Sequence, residues 1–309
     1  MRFFGLWLSI VASFTVLASA LSDEPRRIVA IGDLHGDYIN AVKSLNFANI
    51  TDLDGHWIGG DAILVQTGDI VDRGMDTIEL YRMMQELEIE AKAQGGQVIV
   101  LLGNHEIMNL IGDWRYVLRP EIRKFGSKQD RINAFKPDGS IGSYLVGLNT
   151  TAKVGSTVFV HGGLHPKYAK HGIDWINAET HAAMPEFIET NGQSGDPHDI
   201  FGGDGPTWYR AYAVEDEAKV CPLLEEALKM LEADRMVVGH SVQRDGRIRT
   251  RCNGKIVLID IGIGFIYGGN LGSLEIVGDK LSAIYRKGPE LLFAPQTPDL
   301  EAELAHEEL

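Results

Sequence analysis

The chain has 309 residues, 44% of them hydrophobic and 23% charged, which suits one large α/β domain or two smaller ones with a full core. Its 29 basic and 43 acidic residues give a formal net charge of −14, which argues against a nucleic-acid partner, since such a partner needs a basic stripe. The only cysteines are Cys221 and Cys252, and the absence of a CxxC pair argues against thiol-redox chemistry.

The N-terminus reads as an address. Arg2 precedes an apolar run from Phe3 to Leu17, and Ala18-Ser19-Ala20 fits signal-peptidase cleavage, so residues 1–20 are expected to be a secretory leader. Ser9, Ser13 and Thr15 interrupt the run, which makes a membrane-spanning anchor the weaker reading.

Six short apolar runs follow, most of them ending in a polar cluster: "RIVAIGD", "DAILVQTGD", "GQVIVLLGN", "STVFVHGG", "MVVGHS" and "KIVLIDIG". They are β-branched and continuous, as expected for strands covered on both faces. After the first run, Asp37 is placed to cap a helix starting near Tyr38, with Gly32 and Gly36 allowing the turns before it. Between the second and third runs, Asp76 to Gln94 predicts a helix with Asp76 as its cap. Strand, helix, strand is the rhythm of a layered α/β fold, here one catalytic domain over residues 21–295. Residues 111–155 are less regular and predict a helical insertion, while "AVEDEAKVCPLLEEALKML" predicts an amphipathic helix before the fifth strand. The tail, residues 296–309, is acidic and ends His306-Glu307-Glu308-Leu309, similar to the HDEL/KDEL signals read by the endoplasmic reticulum retrieval receptor. With the leader, this predicts a lumenal protein with no membrane span after cleavage. The sequons at Asn49 and Asn149 fit a glycoprotein of that compartment, where Cys221 and Cys252 could form a bridge.

Ligands of open α/β sheets sit at strand ends, and five of these runs end in metal-ligand types. The first gives Asp33 and His35; the second Asp69, Asp72 and Arg73; the third Asn104, His105 and Glu106; the fourth His161; the fifth His240. Oxygen and imidazole donors without thiolate suit two divalent ions such as Mn, Fe or Zn, with one carboxylate bridging them. Rival motifs fail: "HEIMN" ends in Asn109 where a zinc-protease helix needs histidine, and "GIGFIYGG" has the wrong spacing for a dinucleotide loop.

"GDLHGD", "GDIVDRG", "GNHE", "HGGL" and "GH", in that order between Arg27 and Gly269, resemble the metallophosphoesterases and, within them, the phosphoprotein phosphatase family. "LLGNHE" and "HGGLHP" depart from the usual eukaryotic serine/threonine enzymes. With "GDWRYV" and "GPTWYR" they resemble the Shewanella-like, bacterial-type branch. The resemblance implies a calcineurin-like α/β/β/α sandwich with a dimetal site at the strand ends. It implies that Asp33, His35 and Asp69 hold one ion, and that Asp69, Asn104, His161 and His240 hold the other. A metal-bridging hydroxide would attack phosphorus in line. His105 would be the general acid and Asp72 its orienting partner; Arg73, Arg210 and Asn104 would bind phosphate, and Tyr267 would line the pocket. Glu106 is expected to brace the loops. The implied substrate is a phosphorylated protein or peptide, on Ser/Thr or Tyr. A small phosphate ester or a dinucleoside polyphosphate remains the alternative, because the same ligand set serves both.

Overall fold

The protein is described here from a computed structural model covering residues 25–294; the expected leader and the HEEL tail lie outside the described residues. All six apolar runs are strands. β1 (Ile28–Ile31), β2 (Ile63–Gln66) and β3 (Gln97–Val100) run parallel, with Ile28 opposite Ile63 and Ile63 opposite Gln97. β1 and β2 are buried throughout, as their unbroken Ile/Leu/Val content requires. β3 corrects the expectation of two covered faces: it is the sheet edge, and only Val100 is buried.

The crossovers are helical. In α1 (Tyr38–Phe47) the Asp37 carboxylate accepts the Asn40 N–H at 3.0 Å, the expected cap. Before it, Gly36 sits at φ +66°, whereas Gly32 is needed for proximity: a Cβ there would lie 2.6 Å from the Ile259 carbonyl oxygen. α2 (Thr77–Ala93) lies where expected, yet Asp76 does not cap it with its side chain. That carboxylate is taken instead by the Tyr38 N–H at 3.3 Å and Lys124 Nζ at 2.8 Å.

After α3 (Asn104–Leu110), the insertion holds α4 (Arg119–Lys124), α5 (Lys128–Phe135) and α6 (Gly142–Leu145). It is shorter than expected, because residues 151–154 are strand. β4 (Thr151–Val154) turns at Gly155 and pairs antiparallel with β5 (Thr157–Val160). α7 (Pro166–Ala169), α8 (Ile173–Glu189), α9 (Ala211–Val214) and α10 (Glu217–Met230) lead to β6 (Arg235–Val238), β7 (Arg249–Arg251) and β8 (Ile256–Leu258). The second sheet is ordered β4-β5-β6-β8-β7, and a disulfide joins Cys221 of α10 to Cys252 after β7 with Cα atoms 5.4 Å apart. Three strands that the run-by-run reading did not anticipate, β9 (Gly272–Val277), β10 (Lys280–Tyr285) and β11 (Gly288–Phe293), extend the first sheet past β1.

α1 packs on β9 and β10, α2 on β3, and α8 on β4, giving the α/β/β/α sandwich. Parallel strands of both sheets point their C-terminal ends at one place. The His161 ring, just past β5, reaches the Thr67 carbonyl just past β2.

Candidate active site

The loops after β1, β2, β3, β5 and β6 bring Asp33, His35, Asp69, Asn104, His161 and His240 together, all buried. Their backbone carries strain: His35, Asp69, Asp72, Arg73 and His240 all have φ between 46° and 71°. Such left-handed residues are uncommon outside glycine, and their concentration at one place marks a site whose surroundings enforce the geometry.

The ring tautomers follow from the hydrogen bonds. His161 Nδ1–H donates to the Thr67 carbonyl at 2.9 Å and His240 Nε2–H to the Trp208 carbonyl at 3.1 Å. Each ring therefore turns a lone pair inward. Around His161 Nε2 stand His240 Nδ1 at 3.0 Å, Asn104 Oδ1 at 3.1 Å and Asp69 Oδ2 at 3.2 Å. These are four acceptors with no proton among them, an arrangement that repels itself unless a cation lies between. His35 is set in the same way. Its Nδ1 faces the Val71 carbonyl at 3.2 Å, and its Nε2 stands 3.9 Å from both Asp33 Oδ2 and Asp69 Oδ2. Two groups close enough to hold an ion share Asp69: His35, Asp69 and His105, with Asp33 3.9 Å from His35, and Asp69, His161 and His240.

Electrostatics agree with neutral imidazole ligands. Burial lowers His35 to about 4, with the nearby His105 adding to the effect and Asp69 opposing it. Burial likewise holds His240 well below the ordinary histidine range, helped by His161 and Arg210. Burial works against the Asp69 anion, and positive charge on the neighbouring His161, His105 and His35 rings when they are protonated outweighs it and holds that carboxyl well below its usual range. Asp33 is pushed the other way by burial and by the carboxylates of Asp260 and Asp69.

His105 is the exception among the imidazoles. Its Nδ1 is bonded to Asp72 Oδ2 at 2.6 Å, while its Nε2 opens toward Asp69 Oδ2 at 3.8 Å. Burial disfavours its charge, but Asp69 and Asp72 prevail and raise its proton affinity above the ordinary histidine value. Glu106 braces the centre: it accepts the N–H groups of Asp69, Ile70 and Gly103 at 2.8–2.9 Å and the Tyr81 hydroxyl at 2.9 Å.

The groups assigned to phosphate surround this core. The Arg73 guanidinium lies 4.1 Å from the Tyr116 ring centroid and 5.2 Å from that of Tyr267, and its buried Nε–H has no protein acceptor. Tyr267 does line the site: its ring is 5.1 Å from that of His35. Arg210 is exposed and makes no ion pair among the described residues. It spends Nη1 on the His240 carbonyl at 2.6 Å and on Ser241 Oγ, and faces a groove of about 750 Å³ shared with His240 and Tyr267.

Four residues at the site escaped assignment from sequence. Asp260 lies buried beside Asp33, with Oδ2 unpartnered, and burial together with Asp69 pushes it up to about 6. It stands at the end of "KIVLID", the same strand-end position as the candidate ligands. Tyr116, whose ring is 5.0 Å from that of His105, lies within "GDWRYV". Asn109 and Arg131, which hold Asp72, carried no signal of their own. Conversely, His56 and His198 pair with surface carboxylates, as befits residues outside every motif, and His165 of "HGGLHP" caps α7.

Comparison with known proteins gives the same picture. The family described as calcineurin-like phosphoesterase matches residues 26–244. An uncharacterized protein of Schizosaccharomyces pombe is 35% identical over 299 residues, covering 91% of this chain and 87% of its own length. Shewanella-like protein phosphatase 2 of Arabidopsis thaliana is 32% identical, covering 78% of this chain and 72% of its own. The crystal structure of the cold-active protein-tyrosine phosphatase of a psychrophilic Shewanella superposes with a TM-score of 0.73 at 29% identity, covering 87% of this chain and 81% of that one.

Proposed function

The chain belongs to the calcineurin-like phosphoesterase family and is a metal-dependent phosphatase, and we propose that it acts on phosphoproteins, tyrosine esters foremost. The observation that carries this reading is the His105–Asp72 pair set beside the convergent ligands. Asp33, His35 and Asp69 would hold one ion, and Asp69, Asn104, His161 and His240 the other. Mn, Fe or Zn suit these nitrogen and oxygen donors. When bound, the ions supply Lewis acidity at the phosphoryl oxygens and acidify a water.

The remaining work falls to the chain's own groups. Arg73, set between the Tyr116 and Tyr267 rings, offers its guanidinium to phosphate, together with Asn104 and the edge of Arg210 not engaged by the His240 carbonyl. His105, with Nδ1–H held by Asp72, delivers its Nε2 proton to the leaving oxygen. Such an acid serves a tyrosine ester, whose phenol has a pKa of about 10, and serves the more basic serine and threonine alkoxides at least as much, so the preference among them rests on the pocket walls. The rings of Tyr116 and Tyr267 form aromatic walls beside the leaving group, and the Shewanella relative is itself named a protein-tyrosine phosphatase. Turnover of phosphotyrosine, phosphoserine and phosphothreonine peptides and of diadenosine tetraphosphate, with added divalent metal, tests this. The phosphotyrosine peptide should be turned over fastest; preference for the dinucleotide would overturn the phosphoprotein assignment.

The same reading places the protein in the endoplasmic reticulum lumen, with leader 1–20 removed and the HEEL ending bound by the retrieval receptor. The Cys221–Cys252 disulfide suits an oxidising compartment, and the exposed Asn49 and Asn149 suit glycosylation there. Deleting Glu307 to Leu309 should send the protein into the medium, and glycosidase treatment should lower its apparent mass. Retention of the truncated chain would contradict the address.

A further inference from the structure

Among the described residues, Arg131 is the largest side chain that is fully buried. It comes from α5, in the insertion, 59 residues along the chain from Asp72. Its guanidinium is boxed by aromatic rings, with the centroids of Trp114 and Phe135 at 4.7 and 4.6 Å. Glu121 of α4 holds its Nε at 3.2 Å. From this seat Nη2–H donates to Asn109 Oδ1 at 2.8 Å. The Asn109 amide in turn donates to Asp72 Oδ1 at 3.0 Å and to the His105 carbonyl at 2.9 Å. Asp72 Oδ2 completes the chain on His105 Nδ1. Arg131 Nη2 is also 3.9 Å from Asp72 Oδ1, so its charge offsets the burial of that carboxylate.

A buried ion pair is a poor way to gain stability, because well-packed apolar side chains of similar volume often do as well or better. What this one secures is direction. Asp72 sits at φ 71° with one oxygen for His105, and a carboxylate free to rotate would lose that aim. We propose that Arg131 is a positioning residue for the general acid. Acting through Asn109, it fixes the Asp72 carboxylate, which fixes the His105 ring with Nε2 facing the leaving oxygen. The helical insertion is then a working part of the active site. The inference rests on the reading of His105 as the acid.

The test compares kcat on phenyl phosphate, whose leaving group needs a proton, with kcat on p-nitrophenyl phosphate, whose more acidic phenol needs it far less. His105→Asn should lose about 100-fold or more on the first ester and much less on the second. Arg131→Met and Asn109→Ala should show the same asymmetry on a smaller scale, about tenfold against under about twofold. The double variant His105→Asn/Arg131→Met should fall no further on either ester than His105→Asn alone. Circular dichroism reports folding, and if Arg131→Met does not fold, Asn109→Ala decides by the same comparison. Equal losses on both esters for the Arg131 and Asn109 variants, with His105→Asn still unequal, would overturn the positioning role and leave the acid standing. Equal losses in His105→Asn would overturn the acid assignment, and this inference with it.

Discussion

The two sides of the proposed catalytic centre are built differently. On the ligand side, the groups sit past strand ends and are aimed by the main chain of other loops: carbonyls of Thr67 for His161, Trp208 for His240 and Val71 for His35, and N–H groups of His240 for Asp33 and His105 for Asp69. Main-chain groups are fixed once the sheets and the segment carrying Trp208 between α8 and α9 are in place, so this side depends on backbone geometry rather than on a relay of side chains. On the acid side, His105 is aimed by a side chain, which is aimed by a second side chain, which is aimed by a buried arginine from the insertion. That side depends on packing far from the strands. The ligand side should therefore fail all at once when a shared donor is lost, and the acid side should fail in steps.

The largest effect is expected from Asp69→Asn, which removes the carboxylate common to both clusters. Its kcat should fall by well over about 100-fold, beyond the cost of losing an outer partner, with the circular dichroism spectrum unchanged. An active Asp69→Asn would break the claim that the ligand side acts as a unit.

Asp72→Asn probes the first step on the acid side. Because Asp69 and Asp72 raise His105 against burial, the acid form persists above the ordinary histidine range, and the rate is lost only as pH rises through that raised value. With Asp72 neutralised, His105 gives up its proton at lower pH, so the basic limb of the pH–kcat profile should move down. A limb that stays in place would assign the raised affinity to Asp69 alone.

A smaller effect separates the sides through protons. Burial, Asp260 and Asp69 raise Asp33, and Asp260 itself lies at about 6, so below that pH an entering ion must displace protons. Metal affinity of the stripped protein should fall as pH drops through 6, with proton release seen by calorimetry in buffers of different ionisation enthalpy. Asp260→Asn should reduce the release; His105→Asn should leave the Asp33 contribution in place.

The smallest effect on activity is expected far from both sides. Serine at both Cys221 and Cys252 opens a bridge spanning 31 positions, which should cost about 3 kcal/mol of stability in chemical denaturation. kcat should be unchanged, because neither cysteine touches a ligand or the acid chain.

This asymmetry also explains what the sequence showed. Asp33, His35, Asp69, Asn104, His161 and His240 were legible because each follows a continuous apolar run and lies in a short motif. Asp260 obeyed the same rule and could have been read from "KIVLID". β9 to β11 were missed because they form hairpins turning at Gly278-Asp279 and Arg286-Lys287, with apolar residues broken by Ser273, Glu275, Ser282 and Glu290, a weaker signal than the unbroken runs of the buried parallel strands. Asp76 looked like a cap by position, but its carboxylate serves Tyr38 and Lys124. Arg131 was illegible for a deeper reason. In "KQDRINAF" it is one more charged residue on a short polar helix, and only the packing of Trp114, Phe125 and Phe135 around it shows that it points inward.

The central claim is that the strand-end donors hold two ions and that phosphate release depends on them. Stripping the protein with a chelator and restoring Mn, Fe or Zn by titration, while following ions bound per chain and hydrolysis of an aryl phosphate together, measures this directly. Activity should vanish on stripping and return in full as two ions per chain are taken up. Full activity in the stripped protein, or recovery complete at one ion, would contradict it.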